Sequence, residues 1–181
     1  LRLMAVPAAV AAVVMVVAII TSPYRLARVQ AFFDPEMGAA ASWQSYQSLV
    51  AVGSGGFLGL GYGSGLQKLF FLPEPHTDFI FAITGEELGL VGLMVLLGLT
   101  GVIVWRGFVI AARLEDPQRA LLAFGITAAF AMQSLIHMAV CLDLLPPKGI
   151  PLPLVSYGKT EMLVTLVSIG ILLNLSREVK A

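Results

Sequence analysis

Long uncharged runs, apolar on every face rather than along one stripe, dominate the chain. Residues 3–20 carry no charge, and a helix of that length, rising about 1.5 Å per residue, crosses most of a hydrocarbon core ~30 Å thick. A second run at 88–105 extends upstream through 79–85 across the pair Glu86 and Glu87. A third covers 120–142, and a fourth, 162–175, reaches the far interface only by drawing on 154–160. The pattern predicts four membrane spans, at 3–22, 79–105, 118–142 and 154–175. Asp116 and Pro117 mark the start of the third, a capping side chain followed by a proline at the first helical position. Between the spans lie a long loop at 23–77, a link at 106–117 and a second segment at 143–153.

Composition agrees with the pattern. Of 181 residues, 58% are apolar and 12% charged, against roughly half and a quarter in an ordinary soluble domain. A soluble globular fold is excluded, and the expectation is an all-α polytopic membrane protein forming a single domain over 1–181. Eleven basic and eleven acidic residues cancel, so there is no bulk field to hold a nucleic-acid backbone. Cys141 is the only cysteine and no Cys/His spacing resembles a zinc site, which removes internal disulfides and zinc fingers. Arg106, Arg113 and Arg119 around one link, with Arg177 and Lys180 in the tail, place those segments in the cytoplasm by the positive-inside rule. The segments 23–77 and 143–153 then face outward. The chain opens on Leu1 and lacks the charged leader and cleavage site of a signal peptide, which is the pattern expected of part of a longer protein.

The loop at 23–77 far exceeds the usual connection of about 4–6 residues, and loops of that size are generally functional or disordered. Arg25 and Arg28, three apart, lie on a different helical face from Leu26, Val29 and Phe33, as in a short helix at the membrane surface. Such arginines anchor the helix or meet an anionic headgroup. A further short helix is expected at 43–52. Beyond it, glycines at 53, 55, 56, 59, 61, 63 and 65 match neither a Walker loop nor a dinucleotide fingerprint. Glycine at this density permits close backbone approach and positive φ, as where a chain re-enters a membrane. A flexible surface loop is the alternative.

The densest ionisable cluster, Lys68, Glu74, His76, Asp78, Glu86 and Glu87, sits at the mouth of the second span. Ionisable groups at a membrane edge cost several kcal/mol unless they face a cavity or partner, so each is a functional candidate. With a helix starting near Thr77, Asp78 lies in the first turn, where the macrodipole favours the carboxylate and makes it a proton acceptor. It could equally cap the helix. Ala82, Gly85 and Gly89 follow Asp78 on one face, which predicts a groove with small walls for a lipid-linked ligand. One of Glu86 and Glu87 should face that groove and the other a neighbouring helix. His76 reads as a hydrogen-bonding support, and His137 with Cys141 as core packing. The proline-stiffened stretch 144–158 carries Lys148 on the Asp78 side, while Ser156 and Tyr157 either line the site or satisfy backbone.

Three strings carry a resemblance: RVQAFFDP (28–35), QSLVAVGSGGFLGLGYGSGLQKLFFLPEPHTDFIFAITGEELGL (47–90) and LLPPKGIPLPLVSYG (144–158). With them the sequence resembles the SEDS family of peptidoglycan glycosyltransferases, the FtsW/RodA type, and lies closer to the division branch than to the elongation branch. The resemblance covers essentially the whole chain as the last four of about ten membrane helices, with the large extracytoplasmic loop between the first and second. It implies polymerisation of lipid II into glycan strands, with Asp78 of the H-T-D-F motif as the catalytic general base. It further implies substrate contacts from Lys68, His76, Glu86, Arg25, Arg28, Lys148 and Ser156. The pyrophosphate leaves as an anion, so cations, Lys68 foremost, or a divalent Mg or Mn ion stabilise it. A class B penicillin-binding transpeptidase and other division proteins are the implied partners, at the septal inner membrane. One departure stands out: the family's S-Y-G-G is Ser156-Tyr157-Gly158-Lys159 here. A lipid II flippase, or a non-catalytic scaffold for the division machinery, would use many of the same features.

Overall fold

The computed structural model describes residues 39–65 and 77–179, with Val14, Val17, Thr21, Ser22 and Phe32. The chain divides into a unit at 1–43 and a second at 44–181. In the first, Val14, Val17 and Thr21 are helical, and the Thr21 hydroxyl donates to Val17 O at 2.8 Å. The rest of the predicted span 3–22, and the surface helix carrying Arg25 and Arg28, lie outside the described residues.

All regular structure among the described residues is helical: α1 (Ala39–Gly55), α2 (Ile80–Arg113), α3 (Pro117–Cys141) and α4 (Lys159–Ser176). The last three are long and apolar enough to cross a membrane. α1 outruns the helix expected at 43–52. The third expected span, 118–142, matches α3 within a residue. α2 continues eight residues beyond the expected end at 105, so the link placed at 106–117 contracts to 114–116. The expectation marked where the uncharged run stops, but a helix stops where its hydrogen bonding does, and nothing breaks that ladder between Trp105 and Arg113. α4 begins at Lys159, not at 154. Before it, Pro153 and Leu154 fill the two central positions of a turn closed by Val155 N–H to Leu152 O (3.2 Å), and Leu154 has φ +66°. Lys159, where the resemblance led to the expectation of a glycine, is exposed at the first turn of α4.

Local chemistry sets the remaining ends. Asp116 Oδ1 accepts from Gln118 N at 3.0 Å with Pro117 in the first helical position, the cap expected from the sequence. Arg119 pairs with Asp116 at 3.3 Å and with Glu178, tying the start of α3 to the end of α4. α3 closes in a Schellman motif, with Leu144 N–H to Ala139 O (2.8 Å) and Asp143 N–H to Val140 O (3.1 Å), and Asp143 in the left-handed region at φ +55°.

Two apolar clusters hold the second unit together. One, at the Asp78 end, joins Ala51 of α1, Phe79, Phe81, Ala82 and Leu93 of α2 and its approach, Met138 and Cys141 of α3, and Leu152. The other, at the opposite end, joins Ala123 with Leu172 and Leu175 of α4 against Ile110 and Leu114. Between them α2 and α3 meet at Gly107, where an added methyl would lie 2.3 Å from Thr127 Oγ1; small residues let membrane helices approach this closely.

α2 is interrupted at Gly89, whose φ of +64° and ψ of −162° are not helical. The break frees the carbonyls of Glu86 and Glu87 and the amides of Leu90 and Val91 from each other. The glycine-rich loop after α1 takes up all four: Leu60 N–H to Glu86 O (3.0 Å), Gly61 N–H to Glu87 O (3.1 Å), Leu90 N–H to Gly56 O (2.9 Å) and Val91 N–H to Phe57 O (3.3 Å). Backbone can approach backbone this way only without side chains. A methyl on Gly55 would lie 1.9 Å from Gly85 O, and one on Gly59 would lie 2.1 Å from Glu87 O. The dense glycines thus make the close approach that their spacing suggested, against the chain's own broken helix.

Candidate active site

Asp78 stands in the turn 77–79 ahead of α2, two residues before the first helical residue and one before the N-cap, which is Phe79. This corrects the expected start near Thr77, with Asp78 inside the first turn. Its backbone is held from two directions. The Ser156 hydroxyl donates to Thr77 O at 2.7 Å, and the Cys141 thiol lies 3.7 Å from Asp78 O. Its half-buried side chain borders Gly149, where a methyl would lie 3.2 Å from Oδ2 and 3.7 Å from Cγ. The carboxylate is therefore set against the segment 142–158 by contacts from α3 and from that segment.

The other candidates separate. Lys148 precedes Gly149 and is exposed, which puts its cation on the segment bordering Asp78. Ser156 is 4% exposed, and its hydroxyl both donates to Thr77 O and accepts from Leu152 N at 2.7 Å. The backbone-satisfying alternative describes it, since no free hydroxyl faces a ligand. Glu86 does not line an open groove. It is 1% exposed, and Gly65 closes over it so tightly that a methyl there would lie 2.8 Å from Glu86 Oε2. Glu87 is also buried, at 8%. The small face at Ala82, Gly85 and Gly89, read as groove wall, is filled by α1 and the glycine loop: methyls on Gly85 and Gly89 would meet Val52 Cγ2 at 3.3 Å and Gly59 N at 2.4 Å. Small residues that leave room for a ligand leave the same room for backbone. Lys68, His76, Arg25 and Arg28 lie outside the described residues. Among the described residues no group of three or more His, Cys, Asp or Glu converges as a metal site.

Two contributors escape a search for polar clusters. Gly149 carries no side chain, yet it is the residue against the Asp78 carboxylate. His137, 1% exposed, bonds Ile150 O through Nδ1 at 2.7 Å. A histidine ten residues before the proline-flanked P-K-G stretch was the available signal, but its partner is a main-chain carbonyl that no residue pattern announces.

The family model of the FtsW/RodA/SpoVE cell cycle proteins matches residues 1–181. Similar curated proteins, each named a probable peptidoglycan glycosyltransferase FtsW, include one from Trichlorobacter lovleyi, 45% identical over 90% of this chain and 43% of its own length. One from Thioalkalivibrio sulfidiphilus is 47% identical over 88% of this chain and 41% of its own, and one from Geobacter sulfurreducens 46% identical over 87% and 42%. The chain thus spans less than half the length of these relatives. A solved structure described as a peptidoglycan synthase complex coordinating polymerization and crosslinking superposes with a TM-score of 0.67 at 28% identity, covering 98% of this chain and 49% of that one. With all regular structure among the described residues helical, three of those helices long enough to span a bilayer and a family match over its whole length, the chain belongs to the FtsW/RodA/SpoVE cell cycle protein family.

Proposed function

We propose that this chain carries the catalytic carboxylate of a membrane glycosyltransferase that polymerises lipid II into glycan strands during cell division. The observation that carries the reading is Asp78: a half-buried acid at the foot of a membrane-length helix, its main chain fixed by Ser156 and Cys141 and its side chain set against Gly149. Polymerisation joins a sugar hydroxyl to the anomeric carbon of a lipid-linked donor as the bond to the pyrophosphate breaks. The hydroxyl must lose its proton, and Asp78 takes it as general base. The pyrophosphate departs as an anion and needs positive charge instead of an acid. Lys148, on the segment bordering Asp78, supplies one such charge, and Lys68 is the first choice for another. His76 supports the carboxylate. Ser156 acts on substrate only through the turn that it pins, and Glu86 only through the loop above it. The partners are a class B penicillin-binding transpeptidase and other division proteins, at the septum.

The test is polymerisation of labelled lipid II by the full-length protein with its transpeptidase, wild type against Asp78→Asn. Losing a positioned base should slow glycan formation by roughly 10²–10⁴-fold at unchanged folding. Polymer at the wild-type rate would remove Asp78 from the chemistry.

A further inference from the structure

His137 is a buried, titratable side chain that the proposed chemistry does not use, and it lies between Cys141, beside the Asp78 main chain, and Ile150, next to Gly149. The Ile150 carbonyl can only accept, so the 2.7 Å contact requires the proton on Nδ1. The other ring nitrogen, Nε2, lies 3.6 Å from Cys141 Sγ, and that sulfur lies 3.7 Å from Asp78 O. Cys141 O in turn accepts from the Ser48 hydroxyl of α1 at 2.7 Å, so the end of α3 cannot drift. From Ile150 the chain steps back one residue to Gly149, against the Asp78 carboxylate. The single Cys141 S–H serves either Nε2 or Asp78 O and not both, so the ring reaches the Asp78 main chain by packing on Cys141 and the segment beside the carboxylate by its bond to Ile150 O.

We propose that His137, through its bond to Ile150 O, sets the distance between Gly149 and the Asp78 carboxylate and is a positioning residue for the transfer reaction. The inference rests on the function proposed above. α3 holds this stretch at two adjacent carbonyls, His137 on Ile150 O and Gln133 Nε2 on Pro151 O at 3.0 Å, and Ser156 ties its far end to Thr77 O. Without the His137 bond, Gln133 still holds Pro151 O, but the residues before it, Lys148 to Ile150, lose their own tie to α3 and with it the fixed height of Gly149 over the carboxylate. Misplacing a catalytic group by about 1 Å costs up to ~10²-fold in rate.

The experiment compares His137→Leu, which keeps apolar bulk without a donor, with His137→Asn, whose amide N–H can replace Nδ1–H. Both are made in the full-length protein with its transpeptidase and assayed with lipid II. His137→Leu should lower kcat roughly 10- to 100-fold with KM little changed, and raise amide exchange over 149–156. His137→Asn should recover most of kcat and the protection. Wild-type turnover by the Leu variant, or an Asn variant no better than Leu, would reduce His137 to packing. Should His137→Leu not be recovered folded, the ring itself decides: ¹⁵N resonances of the wild-type imidazole must show a protonated Nδ1, and a bare Nδ1 overturns the proposal. Asp78→Asn in the same assay separates the two claims. An active Asp78→Asn sinks the glycosyltransferase reading, whereas an inactive one beside a fully active His137→Leu sinks only the tether.

Discussion

Replacing Gly89 by alanine tests the broken helix most directly, because two responses are open to the chain and their energies differ. If α2 keeps its break, alanine must hold φ +64° and ψ −162°, a region that essentially glycine alone occupies, at a cost of about 1–3 kcal/mol. Its methyl must also sit 2.4 Å from Gly59 N and 2.6 Å from Phe57 O, and these are main-chain atoms that cannot rotate aside. If α2 straightens, four loop bonds are lost and two helical ones regained, Leu90 N–H to Glu86 O and Val91 N–H to Glu87 O. Two bonds lost at about 0.5–1.5 kcal/mol each, offset by about 1 kcal/mol from alanine's helix propensity, leave a net cost of roughly 0–2 kcal/mol. Straightening wins. The Gly89→Ala protein should therefore fold, with Tm lowered by a few degrees at most, and should release its glycine loop. Hydrogen–deuterium exchange reads this specifically: Leu60 and Gly61 amides lose protection while Leu90 and Val91 keep theirs. Gly98→Ala, on the same helix with nothing within 4 Å of the added methyl, is the control and should be neutral or stabilising. Wild-type protection at Leu60 and Gly61 in the Gly89→Ala protein would refute the accounting.

Three further substitutions probe separate parts of the structure. Gly149→Ala places a methyl 3.2 Å from Asp78 Oδ2 on an exposed residue, so lipid II turnover should fall by tenfold or more, up to roughly 10², with little change in melting; undiminished turnover would mean that the carboxylate has slack. Asp143→Gly removes a side chain from the left-handed position closing α3, where φ is +55°, and should stabilise by about 1 kcal/mol in thermal or denaturant unfolding. Gly107→Ala drives a methyl to 2.3 Å from Thr127 Oγ1, overpacking the α2–α3 contact at a cost of about 1–3 kcal/mol. A Gly107→Ala protein that melts with the wild type would show that these helices separate freely.

What the sequence made legible, and what it concealed, follows from which interactions leave a mark in residue order. Uncharged runs report transfer into lipid, so the α2, α3 and α4 spans were readable, and Asp116-Pro117 announced its cap because both residues act on their own neighbours. The extension of α2 to Arg113 was not readable from hydropathy, since helical hydrogen bonding continues past the apolar run. Gly89 was hidden for a different reason. In an apolar stretch with Gly85, Gly92 and Gly98, one more glycine reads as a packing face, and only the loop at 55–61, about thirty residues earlier, turns it into a break. The same ambiguity turned a filled face into an expected groove: glycine density reports close approach but not what approaches.

The site divides along this line as well. Asp78 was singled out as a candidate because a carboxylate at a membrane edge is costly wherever it points. Gly149 and His137 were not, because one contributes no side chain and the other answers a main-chain carbonyl. Charge in an apolar chain identifies the group that can take a proton. The groups that hold it at the right height are neutral, bonded to backbone, and distributed between α3 and the segment that follows it. A search for further residues that govern this carboxylate should therefore begin with buried donors aimed at the carbonyls of 148–152 rather than with additional charged positions.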